Sequence, residues 1–367
     1  MPIERLNIEQ FLQLATNHLI LDVRSPAEFN HAHIPGAYSV PLFSDDERKV
    51  VGTAYKQQSR EQAIKVGLDF FGPNMRKIVE HVESLVNNHS NTNKDNAKKH
   101  VLVHCWRGGM RSAGIAWLLD LYGFKVSTLV GGYKNYRQRI VQSFSYKYNF
   151  KILGGYTGSG KTYVIEELAK LDATVINLEQ LANHKGSAFG NIGMPSQPSQ
   201  EMFENFLGEE LIKYSVTRSI ITEAAPVDLS AEPKCIWIED ESQRIGLINL
   251  PVPFWKQMRE SRIFFLDIPF EKRVDHITDE YGKLDQQRME DAIIRIQKRL
   301  GGLETKTALQ HLREGDIRSC FSILLKYYDK WYSKGLANRD GLDQLLVTIP
   351  VDEVCASANA KKILAQQ

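Results

Sequence analysis

Two short stretches hold residues able to do covalent or phosphoryl chemistry. In HCWRGGMRSAG, residues 104–114, Cys105 follows an apolar run, Val101 to Val103, and precedes two glycines, an arginine and a helix-forming stretch from Ala113 to Leu119. A cysteine between a strand and a helix lies at the helix N-terminus. There the helix dipole, unpaired N–H groups and the flanking Arg107 and Arg111 favour its thiolate. The same N–H groups suit an oxyanion. A cysteine buried only for packing rarely sits beside two arginines, so the residue reads as a nucleophile. The second stretch, ILGGYTGSGKT at 152–162, is a complete phosphate-binding loop: Gly155, four residues, then Gly160, Lys161 and Thr162, with a helix-forming YVIEELAKL behind it. Gly155, Gly158, Ser159 and Gly160 let the backbone turn its N–H groups onto a phosphate chain. Lys161 adds a charge, and Thr162 can hold a magnesium ion. Such a loop recognises a di- or triphosphate and not a base.

The spacing around Cys105 reads two ways. His-Cys, five residues, then Arg-Ser is the spacing of cysteine-dependent phosphatases, whose loop wraps a phosphoryl group. Rhodaneses carry sulfur as a persulfide on the same kind of cysteine, usually in a loop one residue shorter. Upstream, LDVRSPAEFNHAHIPGA (21–37) resembles the N-terminal rhodanese signature, in which Asp, Arg and Glu brace the fold ahead of a His-Ile-Pro-Gly-Ala turn. His31 and His33 occupy alternate positions of that turn with no third ligand nearby, so they read as turn residues and no metal site is expected.

The elements that must position these loops follow from pattern. A chain of 367 residues, 43% hydrophobic and 25% charged, suggests two or three domains of ordinary globular composition. Its net charge of +2 confines any nucleic-acid contact to local patches. The four cysteines, Cys105, Cys235, Cys320 and Cys355, are too far apart in sequence for a zinc cage or disulfide framework, which suits a reducing cytosol. The N-terminus lacks a leader pattern, and no segment approaches the roughly 18 apolar residues of a membrane span, so a soluble cytoplasmic protein with no membrane partner is expected.

LILDV (19–23) reads as a strand, and NNHSNTNKDNAKKH (87–100) as a polar loop before the strand leading to Cys105. KNYRQRIVQSFSYKYNFK (134–151) holds five basic residues, no acid, and aromatics at 136, 144, 146, 148 and 150. Arg137, Arg139 and Lys147 would neutralise phosphates while the aromatics stack on bases, or the stretch is an amphipathic connector. Composition leaves both open. CIWIED (235–240) and RIFFLDIP (262–269) read as strands of a parallel sheet around the phosphate loop. Glu239, Asp240 or Asp267 could be second-shell magnesium partners, though an acid at a strand end more often merely caps it. Residues 283–340 show helical spacing. The expected architecture is α/β: a rhodanese-like domain with a parallel sheet (8–138), a basic aromatic linker (139–150), a P-loop NTPase-like α/β domain (151–280), and a mainly helical C-terminal region (281–367).

Several longer stretches are more specific than either loop. PLFSDDERKVVGTAYKQQS (41–59), VGGYKNYR (130–137), LEQLANHKGSAFG (178–190), QPSQEMFENFL (197–207) and WIEDESQRIG (237–246) resemble the tRNA 2-selenouridine synthases. That family's cysteine loop is matched at Cys105, Arg107, Gly108, Gly109, Arg111 and Ser112, while 219–234 looks like local extra sequence. The resemblance implies a tRNA partner carrying 2-thiouridine at the wobble position. Its sulfur is first geranylated and the thioether is then replaced by selenium. The substrates implied are geranyl diphosphate, held by Lys161 and its loop, and selenophosphate, whose phosphate Arg107, Arg111 and the loop amides hold while Cys105 attacks selenium. An enzyme supplying selenophosphate is a further implied partner. No tightly bound cofactor is implied beyond possible magnesium. Two other classes fit the loops less fully. A phosphatase with a nucleotide-binding appendage leaves Asp22 to Ala37 unexplained, and a sulfur-relay tRNA-binding protein leaves the intact Lys161 loop without work.

Overall fold

The structure, a computed structural model, describes residues 3–90, 99–214 and 234–366. The chain divides into two units, Met1–Ser143 with Glu204–Phe206, and Phe144–Phe203 with Leu207–Gln367.

The first unit contains β1 (Glu4–Leu6), β2 (Leu19–Asp22), β3 (Tyr38–Ser39), β4 (His100–His104) and β5 (Lys125–Leu129). They form a parallel sheet in the order β1-β5-β4-β2-β3. The middle strand, β4, is buried along its whole length, which explains its unbroken apolar centre. Its Val101 and Val103 share a core with Leu21, Val82, Ile115 and Leu119. The edge strand β1, which the sequence reading left outside the domain, pairs with β5 from Glu4↔Ser127 to Leu6↔Leu129. The polar stretch at 87–100 is only partly a loop, because helix Arg60–Ser90 runs through its first residues; 91–98 lie outside the described residues.

Asp22 and Arg24 brace this unit. Arg24 is 2% exposed, donates to both carboxylate oxygens of Asp22 and to the Ala32 carbonyl, and lies 3.9 Å from the centre of the Tyr133 ring. Burial alone would raise the Asp22 carboxyl, but with its charged and hydrogen-bonded neighbours, Arg24 among them, it stays below the usual range.

In the second unit, β6 (Asn149–Gly155), β7 (Thr174–Ile176), β8 (Cys235–Glu239), β11 (Arg262–Asp267) and β12 (Leu346–Pro350) form another parallel sheet, ordered β12-β11-β6-β8-β7. A small hairpin joins β9 (Arg244–Ile245) and β10 (Ile248–Asn249). The strands read at 235–240 and 262–269 both flank β6. The C-terminal region is not only helical. Its strand β12 pairs with β11 from Ile263↔Leu346 to Asp267↔Pro350, and Ala360 and Ile363 of the last helix join the core around Val164 and Leu168. Helices Phe270–Tyr281, Gln286–Leu300, Gly302–Arg313 and Ile317–Ala337 enclose a separate cluster including Ile277, Ile293, Leu312 and Phe321. Of the stretch at 219–234, residues 219–233 lie outside the described residues. No helix among the described residues is long and apolar enough to cross a membrane.

Candidate functional site

Cys105 directly follows β4 and is 3% exposed. Gly109 donates its N–H to Sγ at 3.3 Å, and the Ser112 hydroxyl lies 3.3 Å from the same sulfur. Burial pushes the thiol up. The Ser112 hydroxyl and the N–H groups of Ser112, Gly109 and Arg107 outweigh it, so the Cys105 pKa is lowered. The sequence offers the helix dipole, N–H groups and two arginines for this role; the N–H groups stand at the sulfur, while Arg111 forms a two-pronged pair with Glu28, at 2.6 and 3.3 Å, and Arg107 is exposed. The carboxyl of Glu28 would rise on burial but is held below its ordinary value by Arg111.

The loop is closed from behind by helix Gly132–Ser143. Tyr133 and Lys134 donate their N–H groups to the carbonyls of Cys105 and Trp106 at 2.8 and 2.9 Å. Gly132 has φ +57°, and a Cβ there would stand 2.3 Å from the Cys105 carbonyl oxygen, so only glycine fits this approach. Much of the basic aromatic stretch is therefore structural. Tyr136, Phe144 and Phe150 are buried and unavailable for stacking on bases. Arg137 bonds Asn205 and Glu204, each at 2.6 Å, and Arg139 bonds Glu9 at 2.9 Å. Lys147 is exposed. His33 Nδ1 lies 2.9 Å from the Phe29 carbonyl, to which it donates in the Nδ1–H tautomer, and its ring stacks on Phe29. Among the described residues, no group of three or more His, Cys, Asp or Glu side chains is arranged to hold a metal ion.

In the second unit β6 runs into the glycine loop and helix Lys161–Lys170. Gly158 has φ +84°, and a Cβ there would press on Ile277 and on the Arg273 carbonyl. Arg273, 3% exposed, donates to the Thr157 carbonyl at 3.0 Å and pairs with Asp329 at 2.7 Å, so it ties the loop to the helical subdomain. Lys161 Nζ donates to the Gly155 carbonyl at 2.8 Å, and the Ser159 side chain is buried.

Around Thr162 the structure gathers Glu179 and Glu241, which the sequence does not mark, with Glu239, which it does. Thr162 Oγ1 donates to Glu179 Oε2 at 2.5 Å, and Glu179 also hydrogen-bonds with Glu241. Burial raises Glu179 against the opposing pull of Thr162 and Lys161. Burial and the neighbouring Glu179 push Glu239 up to about 8, and the same two causes hold Glu241 well above the usual range. Of the acids suggested from strand ends, Glu239 is fully buried and accepts from the Leu178 N–H. Asp240 is held by Tyr332 at 2.6 Å and Arg339 at 2.5 Å, and Asp267 is exposed. Glu179 and Glu241 lie in LEQLANHKGSAFG and WIEDESQRIG, but nothing in their spacing from Lys161 marks them as neighbours.

Lys161, Thr162, Glu179, Asp240 and Glu241 line a cavity of about 650 Å³ that begins at the glycine loop. Its opposite wall is one face of helix Ile317–Ala337, carrying Tyr327, Tyr328, Trp331, Tyr332 and Leu336 at helical spacing. The phenol groups there already have partners: Arg299 for Tyr327, the Ala188 N–H for Tyr328, and Asp240 for Tyr332. The wall thus offers ring faces more than polar edges. Its volume suits a small organic ligand.

Residues 148–361 match a family model described as the tRNA 2-selenouridine synthase AAA domain, and residues 7–139 match the rhodanese-like domain. A tRNA 2-selenouridine synthase from Bdellovibrio bacteriovorus is 31% identical, covering 92% of this chain and 94% of its own length. One from Nitrosomonas europaea is 35% identical over 71% of this chain and 63% of its own. Among solved structures, an N-terminal domain from Clostridium difficile 630 is 35% identical over 37% of this chain and 97% of its own, with a TM-score of 0.33.

Proposed function

The chain belongs to the tRNA 2-selenouridine synthase family, and from that premise we propose that it exchanges sulfur for selenium in a wobble 2-thiouridine of tRNA, in the cytoplasm, through an S-geranyl intermediate. It is a tRNA-modifying enzyme, and the two loops suit the two halves of this reaction. The observation that carries the reading is one chain's possession of both a complete phosphate-binding loop and a cysteine whose sulfur accepts a main-chain N–H and whose pKa is lowered.

In the first half, the thiouridine sulfur attacks C1 of geranyl diphosphate. The carbon–oxygen bond breaks with its electron pair on the diphosphate, and the N3 proton passes to water. Lys161 and the amides of Gly158, Ser159 and Gly160 stabilise the charge that develops on the leaving group. The geranyl chain would lie on the aromatic wall. Thr162 and Glu179, joined by a hydrogen bond, would hold a magnesium ion beside the diphosphate, and the ion would supply Lewis-acid stabilisation of the leaving oxygen.

In the second half, Cys105 is the nucleophile that takes selenophosphate apart, with Arg107 and the loop amides around the phosphate and Arg111 positioned by Glu28. An enzyme supplying selenophosphate would be the upstream partner. For tRNA, Arg137 and Arg139 are held by internal carboxylates, so of the three basic residues singled out, Lys147 is the one we assign to a phosphate of the RNA backbone. Thiolated tRNA incubated with pure protein, geranyl diphosphate and selenophosphate should yield S-geranyl-2-thiouridine and then 2-selenouridine by nucleoside mass spectrometry. Recovery of unchanged 2-thiouridine from all such mixtures would refute the proposal.

A further inference from the structure

Selenophosphate offers Cys105 two atoms to attack, selenium and phosphorus, and the five residues between Cys105 and Arg111 make a phosphatase-like spacing. Selenophosphate holds selenium at the selenide level, bonded to phosphorus(V). If the thiolate attacked selenium, the sulfur–selenium bond would form and the phosphorus–selenium pair would stay on phosphorus, leaving it at the phosphite level. Releasing ordinary phosphate from that route needs an added oxidant. Attack at phosphorus needs none.

The local geometry fits an attack at phosphorus. N–H groups of Arg107, Gly109 and Ser112 converge on Sγ, so a tetrahedral group bonded to that sulfur would stand among main-chain donors. The Ser112 hydroxyl lies 3.3 Å from Sγ and 3.0 Å from the Gly109 carbonyl that accepts its proton, so it can turn that proton to the sulfur as it departs. Helix Gly132–Ser143 pins the carbonyls of Cys105 and Trp106, which keeps the loop backbone in this shape before substrate arrives.

We infer that Cys105 attacks the phosphorus of selenophosphate, so that the loop carries a phosphoryl group and frees hydroselenide beside the tRNA. This rests on the reading of selenophosphate as substrate. The Sγ–P bond forms as the P–Se bond breaks with its electron pair on selenium, which takes a proton from water. Hydroselenide then adds at C2 of the S-geranylated base, the C2–S bond breaks with its electron pair on sulfur, the hydroselenide proton passes to N3, and geranyl thiol leaves with a proton from water. Water attacks the phosphocysteine, releasing phosphate and returning the electron pair of the S–P bond to Sγ. No oxidation state changes. Water is the acid of the first step: its proton lets selenium depart as weakly basic hydroselenide and not as the far more basic selenide dianion.

The test uses the full-length wild type and Ser112→Ala with selenophosphate, with and without S-geranylated tRNA, rapidly quenched. The Cys105 peptide is then read by mass spectrometry and the released phosphorus by NMR. A phosphoryl and a selenium adduct add nearly the same mass, but only the latter carries selenium's broad isotope envelope. The expected result is an adduct on Cys105 without that envelope, accumulating several-fold in Ser112→Ala because its thiolate leaves less readily, with orthophosphate as product. Ser112→Thr, which keeps the hydroxyl, should restore turnover. A selenium envelope on Cys105, or phosphite as product, would overturn attack at phosphorus while leaving the substrate assignment standing. So would selenophosphate consumption without any Cys105 adduct in the quenched wild type or in Ser112→Ala. Failure to consume selenophosphate under either condition would overturn both.

Discussion

Both loops leave the carboxyl end of the middle strand of a five-stranded parallel sheet and run into a helix, yet the carboxylates around them are in opposite states. Near Cys105, Asp22 and Glu28 pair with Arg24 and Arg111, and both are held below their ordinary pKa. Around Thr162, Glu179, Glu239 and Glu241 crowd one another, and all three are raised. The same strand–loop–helix geometry therefore supports two chemistries. Arginine-paired acids fix a scaffold, so the sulfur is left as the group that reacts. Acids short of positive charge are poised to respond to a cation or to a change in bound phosphate.

The largest expected effect separates the loops by substitution. Lys161→Ala should lower geranyl transfer by roughly 10²–10³, by analogy with loss of one transition-state donor worth about 2.7–4 kcal/mol. It should still convert pre-geranylated tRNA to 2-selenouridine. Cys105→Ser should do the reverse, accumulating the geranylated nucleoside in a mass-spectrometric time course. Equal impairment of both steps by either variant would mean the loops do not divide the work.

Next comes stability. Asp22→Ala leaves the guanidinium of Arg24 buried without its carboxylate, and breaking such a pair costs about 3–5 kcal/mol. Urea unfolding of the first unit's transition should show that loss, whereas Asp267→Ala, at an exposed strand end, should change stability by less than about 0.5 kcal/mol.

The raised acids predict an opposite pH behaviour from the paired ones. Glu239 stays protonated in the folded protein up to about 8, while in the unfolded chain it ionises near its ordinary value of 4.5. Between those limits the unfolded state loses its proton first. This contribution is therefore fully present below pH 4.5 and declines as pH rises to about 8, by at most about 1.4 kcal/mol per pH unit. Unfolding in metal-free buffer across that range should give a shallower decline for Glu239→Gln than for wild type. Identical slopes would place the proton elsewhere.

The smallest effect concerns tRNA. Lys147→Ser should reduce the slope of log affinity against log salt by about one unit, as expected for one lost phosphate contact. Arg137→Ser should instead lower thermal stability, because it breaks bonds to Glu204 and Asn205. Filter binding over a salt series and a melting curve distinguish the two.

Local patterns alone determined much of this protein. GGYTGSGKT dictates a strand, a glycine turn and a helix because only that backbone can point N–H groups at phosphate, and the cysteine loop and Asp22 to Ala37 are likewise contiguous. Those segments are legible since their chemistry is made by neighbours in the chain. Contacts between distant segments were decided only by packing. Glu179 meets Thr162 across 17 positions, β12 joins β11 from beyond a helical subdomain, and Arg137 finds Glu204 67 residues away. Composition could not tell whether the aromatics at 136, 144 and 150 faced RNA or a core, because a ring and a basic residue suit either. The tertiary structure buries them. It also gave Arg111 a partner, because a charge acts through the group it touches: Glu28 stands against Arg111, and the Cys105 sulfur is left to the Ser112 hydroxyl and main-chain N–H groups.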